Sequence, residues 1–462
     1  MESRLRKVSE KLVAQISKKQ VLCLRSIANN RKEEIQFGRF IGNEKVKLEE
    51  IESSLYEQFA QSCPSEGHIL LLEDTSAICY NLGGEVRGLG KIDKGQVQGF
   101  YLHPVLGIDA ANGACYGIAD LKLYQRAFES KPADKLDRGV KEAKRKKTPF
   151  AQKESYRWLS VAKAAQHRCS PHLRKTVVAD RESDVYGVLT GLSASGLDYV
   201  IRAMHNRPLQ NNRKLHEEIA TWQPQSYEIE VPATDKRSAH LATLDISFGY
   251  VELQKKDAQG DVDSPPIHGT WVVYAKESPD SVVGNEKPIE WVLYTSHPVT
   301  DFEMALQIIA WYKERWHIEQ LFRTLKSKGL DLENSQLKTA IKLHKLAVLA
   351  LMAAVKVIQL VRARDGKTDQ KIIPIFSQEE QNFLQLVHAQ VEGKSEKSKN
   401  PHSKDSLAFA TWVIARLAGW SGYQSQRPPG PIDLLNGLKK FNQQYQGFLL
   451  AKHFFTESVY IP

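Results

Sequence analysis

Cysteine is scarce in this 462-residue chain: Cys23, Cys63, Cys79, Cys115 and Cys169 are odd in number and widely separated, and no two form a Cys-x-x-Cys pair. Neither a disulfide framework nor a zinc site is indicated, and reduced thiols are the simplest reading. A long apolar run is also missing. The longest, residues 346–355, stops at Lys356 and falls short of the roughly 20 residues that a membrane-spanning helix needs. The N-terminal stretch MESRLRKVSEK is charged from the outset and has no apolar signal core. There is no internal repeat and no long low-complexity tract. These absences lead to the expectation of a cytoplasmic protein with no membrane partner.

Hydrophobic residues make up 42% of the chain and charged residues 26%, a globular composition. At this length a single compact core is not expected, so two or three domains are. The formal net charge of +10 favours a polyanionic partner without requiring one.

Residues 1–60 are rich in Lys, Arg, Glu and Leu, contain no proline, and read as a small helical domain. Residues 68–80 (HILLLEDTSAICY) then form an apolar run that predicts a buried strand. Two apolar segments within residues 99–126 flank Asn112-Gly113, the dipeptide that most favours a tight hairpin turn. Residues 141–147 (KEAKRKK) are basic, residues 155–166 are helical in pattern, and residues 175–180 (KTVVAD) repeat the strand pattern closed by an acid. A helix over 185–192, a strand over 198–202 and a β-rich stretch over 225–297 follow. Long helices are predicted over 302–328 and 335–363. Residues 391–404 read as a polar, basic, mobile loop or linker, and the last 55 or so residues are helical. The expected domains are residues 1–60, residues 61–363 with a β insertion at about 210–297, and residues 364–462.

Within the 302–328 helix each residue advances about 100°. With Tyr312 at zero, Arg315 falls near −60°, Glu319 near −20° and Lys326 near −40° by that rule, one narrow stripe. Ile318, Leu321, Phe322 and Leu325 gather on a neighbouring face that can pack on a core. A carboxylate among cations and a phenol suits a metal and a phosphodiester, since Arg and Lys neutralise phosphate oxygens and the carboxylate holds a hard cation. The same spacing equally describes a surface salt bridge between Arg315 and Glu319.

Asp74 and Asp180 each end an apolar strand-like run, where a packed sheet exposes them at its edge. With Glu319 they supply three anionic ligands from separate segments, a set able to hold two divalent cations. Oxygen-only ligation favours Mg²⁺ or Mn²⁺ over zinc. Glu73, Glu182 and Asp184 lie close enough in sequence to compete for the same assignment, and strand-end aspartates also serve as caps.

Tyr312-(2)-Arg315-(3)-Glu319-(6)-Lys326 resembles the Y-R-E-K signature of DDE transposases of the IS-four family. The segment LLLEDTSAICY resembles the strand bearing that family's first catalytic aspartate, and VVADRESDVY resembles its D-R-E-x-D motif. The similarity keeps its order from QFGRFIGN (Gln36 to Asn43) to IARLAGW and GFLLAK near the C-terminus. The resemblance implies Asp74, Asp180 and Glu319 as catalytic metal ligands, two Mg²⁺ or Mn²⁺ ions, and an α/β ribonuclease-H-like core with a β-rich insertion between helical domains. It further implies cut-and-paste transposition through end nicking, a hairpin intermediate, its reopening and strand transfer into target DNA. Arg202, Tyr312, Arg315 and Lys326 are implied DNA contacts. Trp291 stands where a tryptophan stacks on a flipped base, and Trp316 also lies near the hairpin. A homodimer holding two transposon ends in a synaptic complex, working at the nucleoid, is the implied assembly. Family members carry a further segment ahead of the first helix, so an incomplete end-binding domain is expected here, with Arg4 and Lys7 retaining part of its surface. A non-catalytic DNA-binding regulator and a nuclease without strand transfer are the competing readings.

Overall fold

The protein is described here from a computed structural model, which covers residues 3–80, 84–92, 97–126, 139–140, 143–144, 147–231, 238–255, 264–326, 329–423 and 426–457. Most of the basic stretch at 141–147 and the end of the predicted 302–328 helix lie outside the described residues. Eleven described strands follow in chain order: β1 Gly67–Glu73, β2 Ser76–Tyr80, β3 Gly90–Ile92, β4 Val97–Asp109, β5 Cys115–Tyr124, β6 Leu173–Ala179, β7 Asp198–Arg202, β8 Gln225–Val231, β9 His240–Gln254, β10 Ile267–Glu277 and β11 Glu290–Thr295. The chain divides into two compact units. One comprises Met1–Cys63, Thr75–Phe128 and His317–Pro462, and the other Pro64–Asp74 and Glu129–Trp316.

The first unit is built round the helix Ala340–Ala363, apolar on every side and almost wholly buried. This helix is long and apolar enough to cross a membrane, so the run judged too short in the sequence is part of a longer apolar element. Its burial among other helices accounts for that composition, because a helix enclosed by protein has no polar face. The helices Ser3–Lys19, Leu48–Ser62, Leu407–Ala418 and Pro431–Glu457 pack on it. Its buried Lys345 donates to the carbonyls of Ile41 (3.3 Å) and Asn43 (2.9 Å), and burial pushes the ammonium pKa down. Strand β4 pairs antiparallel with β2, β3 and β5. The β4–β5 hairpin turns where Asn112-Gly113 predicts it, with Gly113 at φ +74°, although the connection spans five residues rather than two. The Arg362 guanidinium lies over that glycine and donates to its carbonyl (2.6 Å), leaving no room for a side chain. The polar stretch at 391–404 is a hydrogen-bonded connection between Gln378–Val391 and Leu407–Ala418, tied by Asn400 to Glu392 and Phe409.

The second unit contains the parallel strands. β1, β6 and β7 run parallel, and their near-continuous apolar sequences suit strands buried on both faces. β11 joins β7 antiparallel, followed by β10, β9 and β8, so the β-rich stretch extends the same sheet instead of forming a separate one. Helices Tyr156–Arg168 and Tyr186–Ala194 pack on β1 and β7, and Phe302–Glu314 packs on β6, β7, β9 and β10.

Two predicted elements are divided. The 68–80 run forms two strands, β1 and β2, parted at Asp74 and Thr75, where the mostly buried Asp74 carboxylate pairs with Arg315. The 302–328 helix is two helices, Phe302–Glu314 and Trp316–Leu325, with Arg315 at the joint. The backbone N–H of Arg315 donates to the Tyr312 carbonyl (3.1 Å), a tightened turn that ends the first helix. Ile318, Leu321, Phe322 and Leu325 are all buried, as their spacing predicts.

Candidate active site

The second unit sets two aspartates side by side. Parallel strands β1 and β6 pair in register, with Glu73 opposite Ala179. The next residues are Asp74 and Asp180, so two carboxylates leave neighbouring strands together at their carboxyl ends, where open α/β sheets place their ligand sites. Asp180 caps the 3₁₀ turn Arg181–Ser183, its Oδ1 accepting from the Glu182 N–H at 2.9 Å. Its Oδ2 accepts no hydrogen bond among the described residues. The Arg315 Nη1 donates to Asp74 Oδ2 at 3.0 Å, with both side chains mostly buried.

The rest of the D-R-E-x-D motif is committed elsewhere. Glu182 accepts from the buried Arg157 at 2.8 Å, and Asp184 is enclosed by Arg207 and backbone amides. Asp180 keeps one carboxylate oxygen open, whereas Glu182 and Asp184 are held by these partners and Glu73 is fully buried on β1.

From Arg315 a row of side chains leads away from the aspartates. Its guanidinium lies 5.9 Å from the centre of the Tyr312 ring, and that ring meets Trp291 edge-on with centroids 5.7 Å apart. Tyr312 is only 5% exposed, so it supports its neighbours more than it faces solvent. Trp291 is half-buried on β11, and Trp316 is 51% exposed. Arg202 closes the group from β7, opposite Leu293 in register, with Nη2 donating to the Glu290 carbonyl at 2.7 Å. Thus Asp74, Asp180, Arg202, Trp291, Tyr312, Arg315 and Trp316 all belong to this unit.

Glu319 and Lys326 belong to the first unit, as do Arg4 and Lys7, both exposed on the helix Ser3–Lys19. Glu319 is half-buried on Trp316–Leu325. The Lys326 ammonium lies 3.8 Å from Glu333, whose carboxylate also accepts from the Cys79 N–H at 2.9 Å. Arg362 donates to His317 Nε2 at 2.5 Å and so grips the first turn of the helix that carries Glu319. Neither Arg362 nor Arg157 stands in any local motif, and only the folded chain reveals their roles.

Among the described residues no three His, Cys, Asp or Glu side chains gather into a ready metal cluster. Asp74 and Asp180 nevertheless fit as part of a cation site. They offer carboxylate oxygens alone, the donor chemistry of Mg²⁺ or Mn²⁺, and one of those oxygens is open. Comparison with known families finds that residues 158–356 match the model of a transposase DDE domain, a region that takes in Asp180, Arg202, Trp291, Tyr312, Arg315, Trp316, Glu319 and Lys326 and makes this part of the chain similar to that domain.

Proposed function

We propose that the protein is a DDE transposase of the IS-four family, a metal-dependent endonuclease and strand transferase that moves a DNA element by cut and paste. The observation that carries this reading is the registered pair of strand-end aspartates, Asp74 and Asp180, with Arg315 bonded to Asp74, beside a region similar to a transposase DDE domain. Glu319 is the third acid in this reading, and the mixed sheet is a ribonuclease-H-like core. Two divalent cations held by these acids would supply nucleophile activation and charge neutralisation for phosphoryl transfer.

The chain's own residues do the rest. Arg202, Arg315 and Lys326 neutralise phosphates at the cleaved end, Arg315 with a planar fork matched to paired oxygens. Trp291, braced by Tyr312, offers an indole face to a base extruded at a hairpin, which offsets part of the unstacking cost. Trp316 lies close to the same base, and Arg4 and Lys7 contact transposon ends. Two subunits hold two ends in a synaptic complex, in the cytoplasm at the nucleoid.

The test is a cleavage assay on duplexes carrying the element's own ends, read from the flanking genome. Asp74→Ala, Asp180→Ala and Glu319→Ala are each expected to abolish Mg²⁺-dependent cleavage and leave end binding intact. Appreciable cleavage by all three variants would overturn the assignment, and ends bound but cut by no version would make the protein a DNA-binding regulator. Trp291→Ala is expected to slow hairpin formation more than first-strand nicking; equal losses in both steps would count against the base-flipping role.

A further inference from the structure

Asp184, the last residue of D-R-E-x-D, has no part in the mechanism above, yet it is among the most heavily bonded side chains of the second unit. Its carboxylate is fully buried. Oδ2 accepts from the backbone N–H groups of Met204 (2.7 Å) and His205 (2.9 Å). Oδ1 accepts from Arg207 Nε (3.0 Å) and Nη2 (2.5 Å), and the Asp184 carbonyl also accepts from Nη2 (2.9 Å). Each carboxylate oxygen therefore carries two donors, which leaves no lone pair for a cation. Asp180, four residues earlier, keeps an oxygen open.

These bonds join two loops. One is the turn after β6 that begins with Asp180, and the other is the segment after β7, residues 203–207. That segment is fixed at its start by the Ala203 N–H on the Val292 carbonyl (2.8 Å), one residue from Trp291, and at its end by the Leu215 N–H on the Arg207 carbonyl (2.9 Å). Between these anchors Met204 is 63% exposed. A thioether on a locked backbone is well suited to packing against a flat ring, because its softness and flexibility adapt while its origin stays put.

We propose that Asp184 is a positioning residue whose carboxylate fixes the rim at residues 203–207 to the turn that carries Asp180, and that this rim presents Met204 to the DNA end as an apolar contact for an unstacked base. The inference rests on the transposase reading and adds to it a second base contact beside Trp291.

The experiment compares the wild-type protein with Asp184→Asn, Met204→Ala, Met204→Leu and Asp180→Asn. The asparagine keeps the shape of Asp184 but turns an NH₂ group toward existing donors whichever way it faces. The probe is a duplex bearing the element's own end, with 2-aminopurine as the base beside the scissile phosphate; Mn²⁺ alone is titrated in parallel. Both Asp184→Asn and Met204→Ala are expected to lower the ratio of hairpin to nicked product by about tenfold and to blunt the 2-aminopurine signal, and Met204→Leu is expected to restore both. Asp184→Asn should bind Mn²⁺ as the wild type does, whereas Asp180→Asn should not. Loss of Mn²⁺ binding in Asp184→Asn would make it a ligand and overturn the proposal. So would an unchanged hairpin ratio in Met204→Ala, a surface variant that decides the matter even when Asp184→Asn fails to fold. A wild-type protein that neither binds nor nicks the duplex defeats the transposase reading, and this inference with it; wild-type cleavage with no effect of Met204→Ala defeats this inference alone.

Discussion

At the scale of single residues, Arg315 connects the parts of the candidate site. It bonds to Asp74, lies beside the Tyr312 ring and occupies the joint between two helices. An arginine on a ligand carboxylate competes with a cation for the same oxygen, so its removal relieves both the competition and the repulsion between like charges. Arg315→Ala is expected to tighten Mn²⁺ binding by about tenfold, or about 1.4 kcal/mol, while weakening cleavage of end DNA. Calorimetric titration with Mn²⁺ checks this, and unchanged or weaker metal binding would show that the ion pair does not guard the site. Asp74, Asp180 and Arg315 were legible as candidates in the sequence, where they stand in recognisable motifs. The division of labour inside D-R-E-x-D was not, because Glu182 and Asp184 differ from Asp180 only through partners distant in the chain, Arg157 and Arg207.

At the scale of elements, periodicity marked most of the helical and β-rich stretches but missed the helix Gln378–Val391 and the interruptions. The 68–80 run carries no glycine or proline at Asp74-Thr75, and Glu314-Arg315-Trp316 holds no helix breaker, so neither break has a local signal. Close helix packing is likewise invisible until the partners are known. A side chain at Gly437 on Pro431–Glu457 would overlap the Ile414 carbonyl of Leu407–Ala418. Gly437→Val is therefore expected to destabilise the first unit by about 2 kcal/mol, since the two helices must separate to admit it. Urea unfolding followed by circular dichroism measures the loss, and a midpoint equal to that of the wild type would show that the helices move apart freely.

At the scale of the whole molecule, two histidines contribute to the response to acid. In the second unit, His297 sits against His68, Trp311, Asp198 and Arg174. Arg174 Nη2 can only donate, so His297 Nδ1 accepts (2.7 Å) and its Nε2–H is given to Thr176 (2.8 Å), which fixes a neutral ring. In the first unit His344 packs edge-on against Phe100. Burial pushes both down to about 4. A folded-state pKa below the unfolded value means that the unfolded chain takes up protons first as the pH falls. The stability that depends on these neutral rings is thus whole above about pH 6.5, declines below it and is lost by about pH 4, at most on the order of 3 kcal/mol for each. His344→Phe is expected to flatten the fall in thermal midpoint between pH 6.5 and 4, and a slope equal to that of the wild type would count against it. If the proposed function holds, the net charge of +10 adds a second dependence, and affinity for end DNA is expected to fall steeply as salt rises.

The sequence by itself determined the order of the elements, the mixed α/β character, the buried strands and the acids worth testing, because hydrophobic period and short motifs are local properties of the chain. Tertiary structure decided the rest. The β1–β6 register brings Asp74 beside Asp180 although 105 residues separate them, and the Asp184 clamp ties together loops that follow different strands. An apolar run interrupted by lysines proved to be the buried centre of the first unit. Register, burial and partner choice depend on segments remote in sequence, and no local pattern encodes them.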